Sequence, residues 1–251
     1  MKILLRIAFL GTTYCGYQVQ PNGPTIQQKL NEAAKDLFGY DCDIVGCSRT
    51  DSGVHANEFY VAVSQKGEKC LTTNIPTEKI ALAMSVRLPN DISVLSAREI
   101  DDDFHPRYDV IYKEYVYQIW NGRARNPFLT DRSWHCPKPI DADGLARMQI
   151  AAKMFVGKKD FASFMAADSK IKDSVRTVMD ATVAKDGNLI TFKVSADGFL
   201  YNMVRIIAGT LVDIGRGRIT ENMSTIIKSK SRSMAGHTAP AHGLFLKKVD
   251  Y

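Results

Sequence analysis

The stretch TIQQKLNEAAKDLF, from Thr25 to Phe38, decides the fold. Its apolar residues recur at the spacing of one helix face, at Ile26, Leu30, Ala33 and Leu37. Thr25 and Gln28 form a capping-box pattern, which predicts a helix over residues 25–38. Residues 2–10 alternate with a period of two and predict a strand, so the chain opens as a strand followed by a helix.

The pattern continues outward in the order strand, helix, strand, strand, helix, strand, and this order occurs twice. In the first half the elements are predicted over residues 2–10, 25–38, 43–47, 58–64, 77–87 and 92–100. In the second half they are predicted over residues 110–120, 141–156, 175–185, 189–195, 200–214 and 243–249, with a hairpin turn at Asp186-Gly187 and an added helix over 220–229. We therefore expect an α+β protein with two ferredoxin-like (βαββαβ) domains, 1–103 and 104–251, whose antiparallel sheets combine around a central cleft.

Composition points to a protein with a large core and a basic second half. The chain has 251 residues, of which 45% are hydrophobic, and a formal net charge of +6. Residues 126–251 carry 19 basic and 12 acidic side chains, whereas residues 1–125 carry 14 and 15. A basic half suits nucleic acid, with binding that weakens as salt rises. An ordinary solvated surface is the alternative that charge alone leaves open.

The cysteines and the N-terminal residues bear on the compartment. Five cysteines form an odd set with no Cys-x-x-Cys pair, which argues against a disulfide framework and a zinc site. Reduced thiols favour a cytoplasmic protein. Arg6 interrupts the first apolar run, which predicts a strand rather than a signal peptide. We expect no membrane span, because no run of about 18 apolar residues occurs.

The segment GCSRTDSGVHA, residues 46–56, carries the candidate chemistry. It places the carboxylate of Asp51 between Arg49 and the pair Ser52-Gly53. If residues 43–47 form a strand, its period of two carries Arg49 and Asp51 to the same side. The guanidinium would keep the carboxylate charged, and glycine would let the turn expose it. Taken alone, Asp-Ser-Gly is also typical of a surface turn.

Residues 49–56, RTDSGVHA, closely resemble the active-site motif of the TruA family of tRNA pseudouridine synthases. Other stretches resemble further blocks of that family in the same order: YCGYQ (14–18), FHPR (104–107), KEYVY (113–117), DFASF (160–164), NMVR (202–205) and TAPAHGL (238–244). The chain departs from the family pattern at Ser52, where Ala is usual, at Tyr17, where Trp is usual, and at Glu58-Phe59, where Gly-Gln is usual. These departures concern local contacts, not the reaction.

The resemblance implies an isomerase that converts uridine to pseudouridine in the anticodon stem-loop of tRNA after flipping the base. It implies Asp51 as the catalytic residue and Tyr115 against the target base. Arg49, beside Asp51, and Arg205 are further candidates for substrate binding. The buried helix predicted around Arg205 requires an anion for that guanidinium, and Asp51, an RNA phosphate and Asp213 are the candidates. The reaction needs no cofactor and no metal. The family also implies a homodimer.

Two other functions stay open at this point. Glu58-Phe59 motivates a non-catalytic protein that binds structured RNA on the same fold, and a nucleoside or glycoside hydrolase is disfavoured because the motif supplies one carboxylate where two are usual.

His55 and His105 lack metal-ligand spacing, and His55 is expected to brace the turn. Asp101-Asp102-Asp103 is expected to be solvated. Phosphate contacts, or else a solvated basic loop, are expected at Lys228, Lys230, Arg232, Arg216 and Arg218.

Overall fold

In the computed structural model, which describes residues 1–169 and 171–251, the predicted first helix, α1, spans Ile26–Phe38. Thr25 caps it, because its hydroxyl accepts the N–H of Gln28 at 3.2 Å. The side chain of Gln28 donates to Glu32 at 2.9 Å rather than completing a capping box. The local sequence pattern therefore located the helix correctly. The side chain of Gln28, however, bonds to Glu32 one turn further along the helix.

The first unit has the strand and helix order that the sequence predicts. Its elements are β1 (Lys2–Phe9), α1, β2 (Cys42–Gly46), β3 (His55–Gln65), α2 (Thr77–Ser85) and β4 (Ile92–Ile100). The strands pair antiparallel in the order β4-β1-β3-β2, as a βαββαβ ferredoxin-like unit requires. β1 is central, and its side chains Ile3, Leu5 and Ile7 are fully buried. This sheet anchors the segment that follows β2.

The second unit repeats the order with two added strands. Its elements are β5 (Tyr112–Trp120), β6 (Trp134–His135), α3 (Ala142–Lys153), β7 (Gly157–Asp160), β8 (Val175–Asp186), β9 (Leu189–Ala196), α4 (Met203–Gly215) and α5 (Met223–Ser229). The last strand, β10 (Leu244–Asp250), begins in the second unit, and its residues from Leu246 onward belong to the first. Short 3-10 turns lie at Pro127–Leu129, Ala162–Phe164, Arg232–Met234 and Ala241–Gly243. The strand order is β5-β9-β8-β7, antiparallel throughout. The protein is therefore α+β, as predicted.

The short strands β6 and β7 were not predicted. β6 has two residues and pairs parallel with Ile119 and Trp120 of β5. β7 has the sequence GKKD and pairs with β8 at the edge of the sheet. Two residues are too few to show the alternation of apolar and polar side chains that predicts a strand. The lysines of β7 are typical of an edge strand, but a segment with this sequence is also typical of a loop.

The two units divide the chain unevenly. The first comprises Met1–Ile111 and Leu246–Tyr251, and the second comprises Tyr112–Phe245. The first unit thus extends to Ile111, and its C-terminal residues contact the segment that leads to the second unit. The Phe104 ring packs on that of Tyr251 at 5.1 Å, and the Tyr251 hydroxyl donates to the Pro106 carbonyl at 2.8 Å. Among the described residues, no helix is long and apolar enough to cross a membrane.

Candidate active site

Asp51 lies in the turn that connects β2 to β3. Gly53, with a φ of 80°, takes the left-handed conformation that lets the backbone reverse. The N–H of Val54 donates to the Asp51 carbonyl at 3.2 Å and closes the turn. The Asp51 side chain is half-buried. The turn thus presents a single carboxylate that keeps access to solvent.

Hydrogen bonds from an earlier segment of the chain hold this turn on both sides. The carbonyl of Tyr14 accepts the N–H of Gly53 at 3.3 Å and the hydroxyl of Ser52 at 3.1 Å. The N–H of Tyr17 donates to the Thr50 carbonyl at 3.2 Å. Backbone groups on either side of Asp51 are therefore fixed, which limits where its carboxylate can move.

The approach of these two segments requires glycine at position 16. Gly16 has a φ of 84°, and a Cβ there would lie 2.5 Å from the Thr50 carbonyl oxygen. Both the left-handed backbone and the lack of space exclude a side chain. The stretch YCGYQ therefore supports the Asp51 turn directly, although the two are distant in sequence.

His55 supports the same turn from the buried side, where its ring bonds to the backbone at Gly11. The ring is fully buried, and its Nδ1 accepts the N–H of Gly11 at 3.0 Å. A ring nitrogen that accepts a hydrogen bond carries no proton, so the imidazole is neutral and protonated on Nε2. A Cβ at Gly11 would lie 2.0 Å from the Val54 carbonyl oxygen, which shows how closely the end of β1 meets the turn. The contacts support a positioning role for His55.

Arg49 is exposed and forms no ion pair within the part of the chain that the structure describes. It lies two residues before Asp51 in the same turn. A guanidinium in this position is available to an anion from outside the chain, and phosphate is the anion that its planar donors match best.

The departures from the family pattern contact one another inside the first unit. The rings of Tyr17 and Phe59 stack with centroids 4.6 Å apart, and Phe59 also packs on Phe9 at 5.5 Å. Glu58 pairs with Arg6 at 3.6 Å and accepts a backbone N–H from β10 at 3.1 Å. Tyr17 and Phe59 therefore act as one packing unit.

Tyr17→Phe is expected to raise the free energy of unfolding by about 1 kcal/mol. The Tyr17 hydroxyl is buried and has no hydrogen-bond partner among the described residues. Its removal relieves an unsatisfied polar group and keeps the ring stack on Phe59. Urea unfolding followed by circular dichroism measures the difference.

The matched control for this change is Tyr117→Phe. The Tyr117 hydroxyl is also buried, but it donates to the Pro240 carbonyl at 2.7 Å. Loss of that bond should lower the free energy of unfolding by about 1 kcal/mol. Equal losses in the two variants would mean that the Tyr17 hydroxyl has a partner after all.

Tyr115 and Arg205 lie in the second unit, whereas Asp51 and Arg49 lie in the first. Tyr115 is on β5, opposite Val194 of β9, and is 7% exposed. Its ring meets that of Phe199 edge-on, with centroids 5.0 Å apart. The ring orientation is therefore fixed by packing.

Arg205 lies in the first turn of α4 and binds the segment that leads to β10. Its Nε donates to the Ala239 carbonyl at 2.8 Å, and its Nη1 donates to the side-chain oxygen of Asn202 at 2.7 Å. The N–H of Ala239 donates back to the Arg205 carbonyl at 3.1 Å. The TAPAHGL block and the NMVR block of the sequence are thus joined at this arginine.

Asp213, considered from the sequence as a partner of Arg205, pairs with two other residues. Its carboxylate oxygens lie 3.3 Å from Arg218 Nη1 and 2.9 Å from His237 Nδ1. The N–H of Gly236 donates to the Thr210 hydroxyl at 2.9 Å and tethers the same segment to α4. Sequence analysis missed this cluster, since the only indication was an isolated acid in an apolar helix.

Four of the five basic residues considered as phosphate contacts have partners within the protein. They are Lys230 with Asp160 (2.9 Å), Arg232 with the Gly236 carbonyl (2.8 Å), Arg218 with Asp213 (3.3 Å) and Arg216 with the Lys138 carbonyl (3.5 Å). Lys228 is exposed. Carboxylates pair with Lys230 and Arg218, which favours a structural role for these two. Arg232 and Arg216 contact backbone carbonyls, and the buried Nε of Arg216 has no hydrogen-bond partner among the described residues.

The remaining candidates lie at the surface of the first unit. The His105 ring stacks on Tyr108 at 4.2 Å, and burial together with the charge of Arg107 lowers its pKa. The three acids before it are exposed, and Asp103 pairs with Lys69 at 3.1 Å. Across residues 1–169 and 171–251, no group of three or more His, Cys, Asp or Glu side chains is placed to hold a metal ion.

The chain is similar to proteins of one family over most of its length. A family model described as tRNA pseudouridine synthase matches residues 6–109 and 151–251. Proteins named tRNA pseudouridine synthase A are 40% identical in Thermoanaerobacter sp. strain X514 and 42% identical in Caldicellulosiruptor bescii, each covering 100% of this chain and 99% of the relative. The Moorella thermoacetica protein of that name is 43% identical and covers 98% of both chains.

A solved chain described as part of a Cbf5-Nop10-Gar1 complex aligns with 97% of this chain and 57% of its own length, at a TM-score of 0.39 and 12% identity. That likeness is too low to support an argument. The family model covers more than half of the chain and the relatives extend over all of it. The chain therefore belongs to the tRNA pseudouridine synthase family of isomerases.

Proposed function

We propose that this protein isomerises uridine to pseudouridine in the anticodon stem-loop of tRNA, with Asp51 as the catalytic carboxylate. The observation that carries the proposal is the Asp51 turn, in a chain of this family. Its carboxylate is half-buried, and hydrogen bonds from Tyr14 and Tyr17 hold the backbone on both sides. A preorganised group of this kind loses little freedom when it reacts.

The reaction leaves the composition of the nucleoside unchanged. The bond from ribose C1′ to uracil N1 breaks, the base turns while it stays bound, and C1′ joins C5. The C5 proton leaves and N1 gains a proton, so the overall change is an isomerisation. Asp51 either attacks C1′, adds to the uracil ring or removes a ribose proton, and each route requires a charged carboxylate in contact with the nucleoside.

The target base must leave its stack before the carboxylate can reach the sugar. Flipping a nucleotide costs a few kcal/mol, which contacts along the RNA backbone would offset. Arg49, exposed beside the Asp51 turn, is proposed to bind a phosphate of the substrate. Arg205 and Tyr115 are proposed to contact the substrate from the second unit.

Release of tritium from tRNA labelled at C5 of uridine tests the activity. We expect turnover by the purified protein without an added cofactor, and pseudouridine mapped to the anticodon stem-loop. Tritium release with pseudouridine elsewhere in the tRNA would contradict the assigned region, and free uracil among the products would indicate a hydrolase instead.

Tyr115→Leu is expected to lower kcat/KM for tRNA by about tenfold, because a leucine side chain offers no aromatic face to the base. Tyr115→Phe keeps the ring and its edge-on contact with Phe199. We expect the Phe variant to bind tRNA as tightly as the wild type does. Steady-state tritium release and filter binding measure the two constants, and a Leu variant that matched the Phe variant would contradict stacking.

A homodimer in the cytoplasm completes the proposal. All five cysteines are free thiols, which suits a reducing compartment. Sedimentation velocity tests the dimer.

The alternative is a non-catalytic RNA-binding protein on the same fold, which the residues Glu58-Phe59 motivated. Phe59 stacks on Tyr17 and Glu58 pairs with Arg6, both within the first unit. Absence of tritium release from every tRNA tested would favour this alternative.

A further inference from the structure

The segment Gly122–Arg132, called here the arginine loop, connects β5 to β6 in the second unit. Phe128 at its tip is 83% exposed, the highest value among the large hydrophobic side chains that the structure describes. Arg123, Arg125 and Arg132 on the same loop are also exposed. One aromatic side chain and three arginines are therefore exposed within eleven residues of chain, which also contain the exposed Asp131.

The loop is held in place at its base. The indole N–H of Trp120 donates to the Ala124 carbonyl at 2.8 Å. The Nε2 of His135 lies 3.0 Å from the Gly122 carbonyl. Both contacts join the loop to the strands that precede and follow it.

The tip of the loop is also ordered. Asn126 accepts the N–H of Phe128 on its side-chain oxygen at 3.0 Å and the N–H of Leu129 on its carbonyl at 3.1 Å. The buried hydroxyl of Ser133 donates to the Leu129 carbonyl at 3.1 Å. The exposed ring is thus carried by a preorganised turn, so a ligand would pay little to order it.

The three arginines differ from the other basic residues discussed above in having no ion-pair partner in the described ranges 1–169 and 171–251. Arg216, Arg218 and Arg232 all contact groups of the protein. Positive charge that the protein leaves unpaired on a rigid loop favours a polyanionic ligand.

We propose that the arginine loop is an RNA-docking site, in which an unpaired base of the tRNA stacks on Phe128 and neighbouring phosphates bind the arginines. The proposal rests on the proposed function for the identity of the ligand. Proteins commonly bind single-stranded nucleotides by stacking the bases on aromatic side chains while neighbouring cations bind the phosphates. A second copy of the chain is a poorer occupant, because a twofold contact would bring the same unpaired arginines together.

Substitution of the ring separates stacking from simple apolar contact. Phe128→Leu should weaken tRNA binding by about tenfold, whereas Phe128→Trp should stay within about twofold of the wild type. Ile150→Ala is the matched control: it removes a 60% exposed apolar side chain from α3 of the same unit and should leave affinity unchanged. Filter binding at fixed salt measures these affinities.

Charge is tested with Arg123→Gln, Arg125→Gln and Arg132→Gln in one variant. The slope of log Kd against log salt should fall by about 2 if three phosphate contacts to unpaired RNA are lost. Single-turnover isomerisation at saturating enzyme measures the rate of the chemical step separately from the affinity of each loop variant.

Wild-type affinity in Phe128→Leu would overturn the proposal, as would an unchanged salt slope in the triple variant. A shift in sedimentation with unchanged tRNA affinity would assign the loop to a contact between copies and overturn it too. Failure of the wild type to isomerise any uridine would defeat the proposed function, while the comparison of affinities would still decide whether the loop docks RNA.

Discussion

Asp51→Asn is expected to lower the single-turnover rate of uridine isomerisation by at least about 10³-fold, with tRNA affinity within about threefold of the wild type. An amide of the same shape can neither attack carbon nor take a proton. The backbone of the turn is held by Tyr14, Tyr17 and Gly53, not by the carboxylate alone. The backbone conformation of the turn should therefore be kept in Asp51→Asn, while the isomerisation is lost.

Single-turnover kinetics at saturating enzyme measure this rate separately from binding. Ser52→Ala is the matched control, since it changes the next residue, whose exposed hydroxyl donates only to the Tyr14 carbonyl. We expect its rate within about twofold of the wild type. A rate for Asp51→Asn within tenfold of the wild type would remove Asp51 from the chemistry.

Gly209→Ala is expected to destabilise the protein by about 3 kcal/mol and to lower its melting temperature by roughly 6–12 °C. Gly209 lies in α4, where alanine would ordinarily add about 1 kcal/mol of helix stability. The Cβ would, however, lie 1.9 Å from the His237 carbonyl oxygen. The backbone of α4 and the backbone at His237 would have to separate by more than 1 Å. The free-energy cost of that separation outweighs the gain in helix propensity.

The cost follows from the contacts that this separation breaks. The segment after His237 exchanges two hydrogen bonds with Arg205, through the N–H and the carbonyl of Ala239. Gly236 adds a third bond to Thr210. Each is worth about 1 kcal/mol net. Displacement of the Arg205 guanidinium should also lower kcat/KM for tRNA.

Gly215→Ala is the control on the same helix. Its Cβ would meet Met148 Sδ at 2.8 Å, and a methionine side chain can move aside. We expect a change below about 1 kcal/mol. Differential scanning calorimetry of both variants measures the difference. Equal melting temperatures would mean that the 237–239 segment is not packed on α4 as described.

Particular elements show how far the sequence could be interpreted. The helix over 25–38, the strand at the N-terminus and the order of elements in the first unit follow from spacing and capping within one or two turns. The strand β7, with two lysines in four residues, gave no such pattern. Its pairing with β8 comes from the fold and not from its own residues.

The partners of charged and aromatic residues were harder to predict. Arg232 and Arg218 have the composition of phosphate contacts, yet the structure gives them a carbonyl and a carboxylate of the protein. Arg123 and Arg125 look the same in sequence and remain unpaired among the described residues. Electrostatic role depends on distance, and distance between remote residues is a property of packing.

The sequence by itself determined the α+β class, the first helix and the turn motif around Asp51, because these depend on residues that are neighbours along the chain. Only the tertiary structure decided that Tyr17 stacks on Phe59, that Arg205 binds Ala239, and that the loop carrying Phe128 keeps its cations unpaired. Such contacts join residues up to tens of positions apart, and close packing selects them through the shapes of whole elements.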